Sequence, residues 1–249
     1  MAYNSRIIPQ VEKEVPPFSL NSIKRVAFEL SNLCNYAKQH KLCPLHKIES
    51  HKILSSKIVY KVASEFERVG FTGTFSFSRY NEPFMDPRFF LFVQHMKKTF
   101  PNSKVHATTN GYYMSQELAA KLDDYGIDYL TISLYSKIEE ARLKALSYPI
   151  PVEFYEAYRL MDRRNDAYGR FEKKRETPCS RYAPLRELTI NAYGDVSLCC
   201  MDWKNKYIFG NILQNSIEEI INTSLFIDTY NLVLSGNAPF ALCHNCHAG

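Results

Sequence analysis

The chain has 249 residues, 45% of them hydrophobic and 23% charged, a balance that supports a packed core and excludes a disordered chain. Its net charge of +5 is spread along the sequence, and the densest basic run, Arg170 to Arg175, is followed at once by Glu176, so no nucleic-acid surface is expected. No apolar run approaches the roughly 18 residues a membrane span needs, and Met1 to Arg6 lack the apolar stretch of a signal peptide; the expectation is a cytoplasmic protein with no membrane partner.

Residues 1–24 read as a lead-in broken by Pro9, Pro16 and Pro17. Arg25 to Leu30 is a predicted strand that runs straight into a cysteine-bearing loop. Strands and helices then alternate: a helix over 55–69 closed by Gly70, a strand over 73–77, a helix over 87–99 with Pro87 at its start, and a strand over 104–109. A helix over 115–125 ended by Gly126, a strand over 129–134 and a helix over 138–146 follow. A further strand over 149–153 and a helix over 155–164 complete the series. Repeated strand–helix units imply parallel strands joined by right-handed crossovers. The expected fold is α/β, a partial (β/α) TIM-like barrel whose active site lies at the C-terminal ends of the strands.

Residues 165–178 are polar and read as a linker, so a boundary is expected near 170. It divides the lead-in (1–24), a barrel (25–170) and a small C-terminal α+β domain (171–249). The pattern of the last region is a hairpin, 188–191 and 196–199, around Tyr193-Gly194-Asp195, then a turn at Gly210-Asn211-Ile212. A short helix over 216–222 follows, with Ser216 and Glu219 placed as a capping box.

The seven cysteines are unevenly distributed. Cys34 and Cys43 lie in the loop after the first strand, and Cys179, Cys199, Cys200, Cys243 and Cys246 lie beyond residue 178. Cytosolic cysteines stay reduced, so two such groups point to two metal sites before disulfides. The first loop also holds His40 and His46, and both groups equally have the residue types of zinc ligands. The next strand ends in Ser78-Arg79-Tyr80-Asn81-Glu82-Pro83, the third in Thr108-Thr109-Asn110-Gly111, and the fourth in Ser133.

In this order, the motifs resemble the radical S-adenosylmethionine (SAM) superfamily, with a C-terminal auxiliary-cluster domain of SPASM/Twitch type. The resemblance spans residues 26–246. It implies two [4Fe–4S] clusters, the first holding SAM on an open iron. The family places three cysteines in its first loop, and this chain has two. The third ligand is His40, as Cys-x5-His-x2-Cys, or His46, as Cys-x8-Cys-x2-His. The resemblance further implies that Ser78, Asn81 and Glu82 receive the SAM amino group, with Asn110 and Ser133 contributing to the cofactor site. Cys179, Cys199, Cys243 and Cys246 then hold the second cluster, four thiolates being its usual set. Cys200, beside a ligand on a strand, is expected to face elsewhere.

The implied activity is reductive cleavage of SAM followed by hydrogen abstraction, with electrons from a flavodoxin or ferredoxin. Oxidation of a small polar alcohol, such as a sugar or aminocyclitol, is the leading expectation. A peptide-modifying maturase and a non-catalytic metal-binding protein are the alternatives. No catalytic residue is singled out.

Overall fold

The structure, a computed structural model, describes residues 18–38, 43–48, 50–158, 179, 186–237 and 239–244. His40, Cys246, the expected linker and boundary, and most of the helix expected over 155–164 lie outside these residues.

Strands β1 (Arg25–Phe28), β2 (Thr74–Phe77), β3 (Lys104–Thr109), β4 (Tyr129–Ser133) and β5 (Val152–Tyr155) alternate with helices α1 (Ser56–Glu67), α2 (Phe89–Thr99), α3 (Gln116–Ala120) and α4 (Lys137–Lys144). Then come β6 (Glu187–Ile190), β7 (Asp195–Ser197) and β8 (Ile208–Asn211), followed by α5 (Ile217–Ile221), α6 (Ser224–Leu234) and α7 (Ala241–His244). All the strands form one 8-stranded sheet in the order β5-β4-β3-β2-β1-β6-β7-β8. The strands from β5 to β6 run parallel, and β7 and β8 are antiparallel additions. The sheet is mixed α/β and open between its β5 and β8 edges.

Strand alternation sets the two faces of the sheet. Val26, Phe28, Phe75, Phe77, Val105, Ala107, Leu130 and Ile132 are buried in one cluster with Val62 and Phe66 of α1, Phe92 and Met96 of α2, and Leu143 of α4. Each fully buried aromatic contributes about 2–3 kcal/mol. The intervening residues are polar, among them Ser76, His106, Thr108, Thr131 and Ser133, and they line the opposite face.

Four elements differ from the sequence expectation. α3 stops at Ala120, with turns continuing to Gly126. Asp123 and Asp124 follow there, and negative charge at a helix C-terminus opposes the helix dipole. Tyr155 belongs to β5, paired with Ser133, because an aromatic side chain suits a strand better than the first turn of a helix. Residues 208–211 form β8 rather than only a turn, converting the hairpin into a three-stranded meander. α6 was not expected, although Thr223 caps it by accepting from Phe226 N and its buried Phe226, Thr229 and Val233 fall at helical spacing. Among the described residues, no helix is long and apolar enough to cross a membrane.

Candidate metal and cofactor site

The loop after β1 is held by the ends of three neighbouring strands. Glu82 N, beyond β2, donates to Leu33 O at 2.9 Å. Asn110, just beyond β3, donates through Nδ2 to Cys34 Sγ at 3.6 Å and to Asn35 Oδ1 at 2.7 Å. Tyr36 donates its hydroxyl to Glu139 at the start of α4, and its ring packs 5.2 Å from that of Tyr135 after β4. Cys34 and Cys43 pack together against a small apolar cluster of Leu45, Tyr80 and Trp203. The structure therefore brings Cys34, Cys43, Asn110 and the Asn81–Glu82 segment to one place.

Glu82 lies inside this site, but its carboxylate is turned to the protein. It accepts from Phe84 N at 3.2 Å, Thr109 Oγ1 at 2.7 Å and Asn110 N at 2.7 Å. Burial raises its carboxyl to about 7 against the opposing pull of those donors. Its visible work is to join the β2 and β3 ends. Asn81 differs: its Oδ1 and Nδ2 are both buried with no partner among the described residues. Ser78 is half-buried and bonds Ser76 Oγ at 3.0 Å. Ser133 is half-buried on the polar face of β4.

His46 does not join Cys34 and Cys43 in their cluster. It is exposed, and its Nδ1–H donates to the Cys43 carbonyl.

In the C-terminal group, Cys199, Cys200 and Cys243 are half-buried against the main core, and Cys179 is also half-buried. The alternation expected to turn Cys200 away does not operate, because β7 ends at Ser197 and Cys200 sits in a turn. The 198–207 loop is organised by Asp202, fully buried, whose carboxylate accepts from Lys206 N at 3.0 Å and Tyr207 N at 2.8 Å. Among the described residues, no three His, Cys, Asp or Glu side chains already converge as a metal site.

A family model described as an iron–sulfur cluster-binding domain, SPASM, matches residues 179–247. The S-adenosyl-L-methionine-dependent 2-deoxy-scyllo-inosamine dehydrogenase of Niallia circulans is 21% identical over 197 residues, 76% of this chain and 79% of that protein. The crystal structure of BtrN in complex with AdoMet and 2-DOIA superposes with a TM-score of 0.76 at 19% identity, covering 90% of this chain and 93% of that one. Native anSMEcpe with bound AdoMet gives 0.58 at 13% identity, covering 88% of each chain.

Residues 179–247 match a SPASM iron–sulfur cluster-binding domain, and the chain has the fold of the radical SAM structures it superposes on.

The residues of this protein fit iron–sulfur and SAM cofactors on three counts. Its grouped thiols are the soft ligands that iron–sulfur iron takes. Burial pushes the Cys34 thiol up to about 12, with Glu82 adding to the rise and Asn110 opposing it, so this sulfur is a neutral thiol in the metal-free protein and would become a thiolate beside a metal cation. The unpartnered Asn81 amide offers a donor and an acceptor beside the same loop.

Sequence reasoning missed the polar floor of the sheet. Arg25 Nη2 donates to Ser76 Oγ at 2.7 Å and to His106 Nδ1 at 2.8 Å. A guanidinium only donates, so Nδ1 is the bare nitrogen and Nε2–H donates to Thr131 Oγ1 at 3.0 Å. Its signal was present in Lys104–Thr109, where alternation places His106 and Thr108 opposite Val105 and Ala107.

Proposed function

We propose that this protein is a radical SAM oxidoreductase that removes two electrons from a hydroxyl-bearing carbon of a small, aminocyclitol-like substrate. The observation that carries the reading is the convergence of Cys34, Cys43, Asn110 and Asn81 at the C-terminal ends of consecutive parallel strands. Cys34, Cys43 and His40 hold the first [4Fe–4S] cluster, and Cys179, Cys199, Cys243 and Cys246 hold the second. The division of the chain near residue 170 into barrel and cluster domain belongs to the same proposal. When bound, the first cluster with SAM supplies one-electron cleavage chemistry, and the protein positions it and excludes water.

Asn81 pairs with the polar end of SAM, Asn110 fixes Cys34 and Asn35, and Glu82 locks the two strand ends beneath them. The polar face, with Ser78, Thr108, Thr131 and Ser133, offers hydroxyl groups to a hydroxylated ligand. One relative supports the substrate class: BtrN, named a 2-deoxy-scyllo-inosamine dehydrogenase, whose structure is a complex with 2-DOIA. A flavodoxin or ferredoxin supplies the electrons, and the compartment is the cytoplasm.

The test is anaerobic purification and reconstitution, a count of iron, sulfide and zinc, and assay of SAM cleavage to 5′-deoxyadenosine. About eight irons per chain are expected for two [4Fe–4S] clusters. Cys34→Ala and Cys43→Ala should each abolish cleavage, whereas Cys199→Ala should retain cleavage and lose substrate oxidation. Zinc in place of iron, or cleavage unchanged in Cys34→Ala, sinks the reading.

A further inference from the structure

Ser78, Asn81 and Glu82 belong to the segment beyond β2, and the two residues between Ser78 and Asn81 reach the C-terminal region. Arg79 has φ of 103°, a left-handed conformation unusual for a side chain larger than glycine. Its guanidinium side chain is 1% exposed, and Nε lies 3.3 Å from Glu29 Oε2 just beyond β1. Nη1 donates to Ser197 Oγ at 2.7 Å, and Nη2 donates to Asp202 O at 3.2 Å and Asn205 Oδ1 at 3.3 Å. Tyr80 donates its hydroxyl to the Cys200 carbonyl, while its ring packs with Trp203 and Leu45 in the cluster that Cys34 and Cys43 touch. Arg79 also lies over the Tyr80 ring at 5.6 Å.

One dipeptide therefore grips the 198–207 loop, which carries Cys199 and Cys200, and anchors it beside the loop that carries Cys34 and Cys43. A buried ion pair and a strained backbone are poor routes to stability, and strain of this kind gathers where a position must be held. Glycine at 79 removes the strain, but it also removes every bond that Arg79 makes to the C-terminal region.

We propose that Arg79 and Tyr80 are positioning residues that fix the C-terminal cysteine loop against the N-terminal one, and thereby set the environment of the C-terminal cluster. The part of this that concerns a cluster rests on the functional reading above. The positioning itself does not.

The test compares wild type with Tyr80→Phe, which keeps the ring in its apolar cluster and removes only the hydroxyl. In metal-free protein, alkylation by N-ethylmaleimide is followed cysteine by cysteine by peptide mass spectrometry. Cys199 and Cys200 should react about tenfold faster in the variant, the scale of one lost hydrogen bond in a local opening equilibrium. Cys34 and Cys43 should keep their wild-type rates.

In reconstituted protein, the electron paramagnetic resonance signal and midpoint potential of the C-terminal cluster should shift, with those of the N-terminal cluster unchanged. Arg79→Lys keeps the charge beside Glu29 but loses the guanidinium fork, and should show the same selective pattern. Equal alkylation rates with an unchanged midpoint overturn the proposal. So does uniform acceleration at every cysteine with a lowered unfolding midpoint, which marks an ordinary structural contact. A wild-type protein that takes up no iron sinks the functional reading and leaves the alkylation comparison as the deciding result.

Discussion

At the scale of single residues, His106 shows how the polar floor enters the stability of the fold. It is 4% exposed, with both ring nitrogens engaged. Burial, reinforced by the Arg25 charge, lowers its pKa from 6.5 to about 3. The unfolded chain therefore takes up a proton on this ring before the folded one does. The contribution of His106 is fully present above pH 6.5 and is lost as pH falls toward 3. Between pH 7 and pH 4.5 the loss amounts to about 2–3 kcal/mol. His106→Gln keeps a donor and an acceptor but does not titrate. Urea unfolding of the metal-free protein across that range should show the two stability curves converging toward acid, while other titrating groups, Glu29 and Glu82 included, cancel in the difference. Parallel curves would sink the assignment of a neutral, buried imidazole.

At the scale of elements, the turn after β3 is the most constrained piece of the site. Gly111 has φ of 70°, and a Cβ there would lie 2.7 and 2.9 Å from the Leu143 methyls and 3.1 Å from Ile132. Leu143 is fully buried and has little room to yield. Arg142 of α4 also holds this turn, donating to Gly111 O at 2.7 Å and Met114 O at 2.8 Å. Gly111→Ala should therefore cost about 2–4 kcal/mol, part from the left-handed backbone and part from overpacking, and should also displace Asn110 from Cys34. Chemical denaturation measures the first effect and iron content the second; a change below about 0.5 kcal/mol would contradict the geometry. This turn was legible in the sequence as Asn-Gly after a strand, and so were the first four strand–helix repeats and the Ser216–Glu219 capping box, because each is a local pattern. β8 was not legible: Ile208–Asn211 becomes a strand only because β7 is there to pair with it. The grip of Arg79 on Ser197 was hidden for a related reason, since 118 residues separate them and only the order of strands in the sheet brings them together.

At the scale of the whole molecule, the C-terminal region shares its sheet with the strand–helix repeats. β6 pairs with β1 along its full length, Ala27 opposite Thr189, so a single sheet crosses the expected boundary. α1 holds the same region from the helix side. Lys61 Nζ donates to Ile212 O at 2.6 Å and Asn215 O at 2.8 Å, and Glu65 accepts from Ile217 N at 2.6 Å. The β6–β7 turn fits closely against α1, where a Cβ on Gly194 would stand 2.4 Å from Ile58. A sheet shared in this way, with a helix gripping both of its parts, makes partial unfolding expose apolar surface on both sides of the break, which favours a single cooperative transition. The chain supplies its own reporter: its one tryptophan, Trp203, is 9% exposed and sits in the C-terminal region. Its fluorescence follows the packing of that region on Leu45 and Tyr80, while far-UV circular dichroism is weighted toward α1 to α4, which hold most of the described helical residues. In urea, the metal-free protein should give the same midpoint by both probes, and Lys61→Ala should move both together. If Trp203 changed at a lower denaturant concentration than the helical signal, the C-terminal region would be a separate folding unit, and the shared sheet would be a docking contact between two domains.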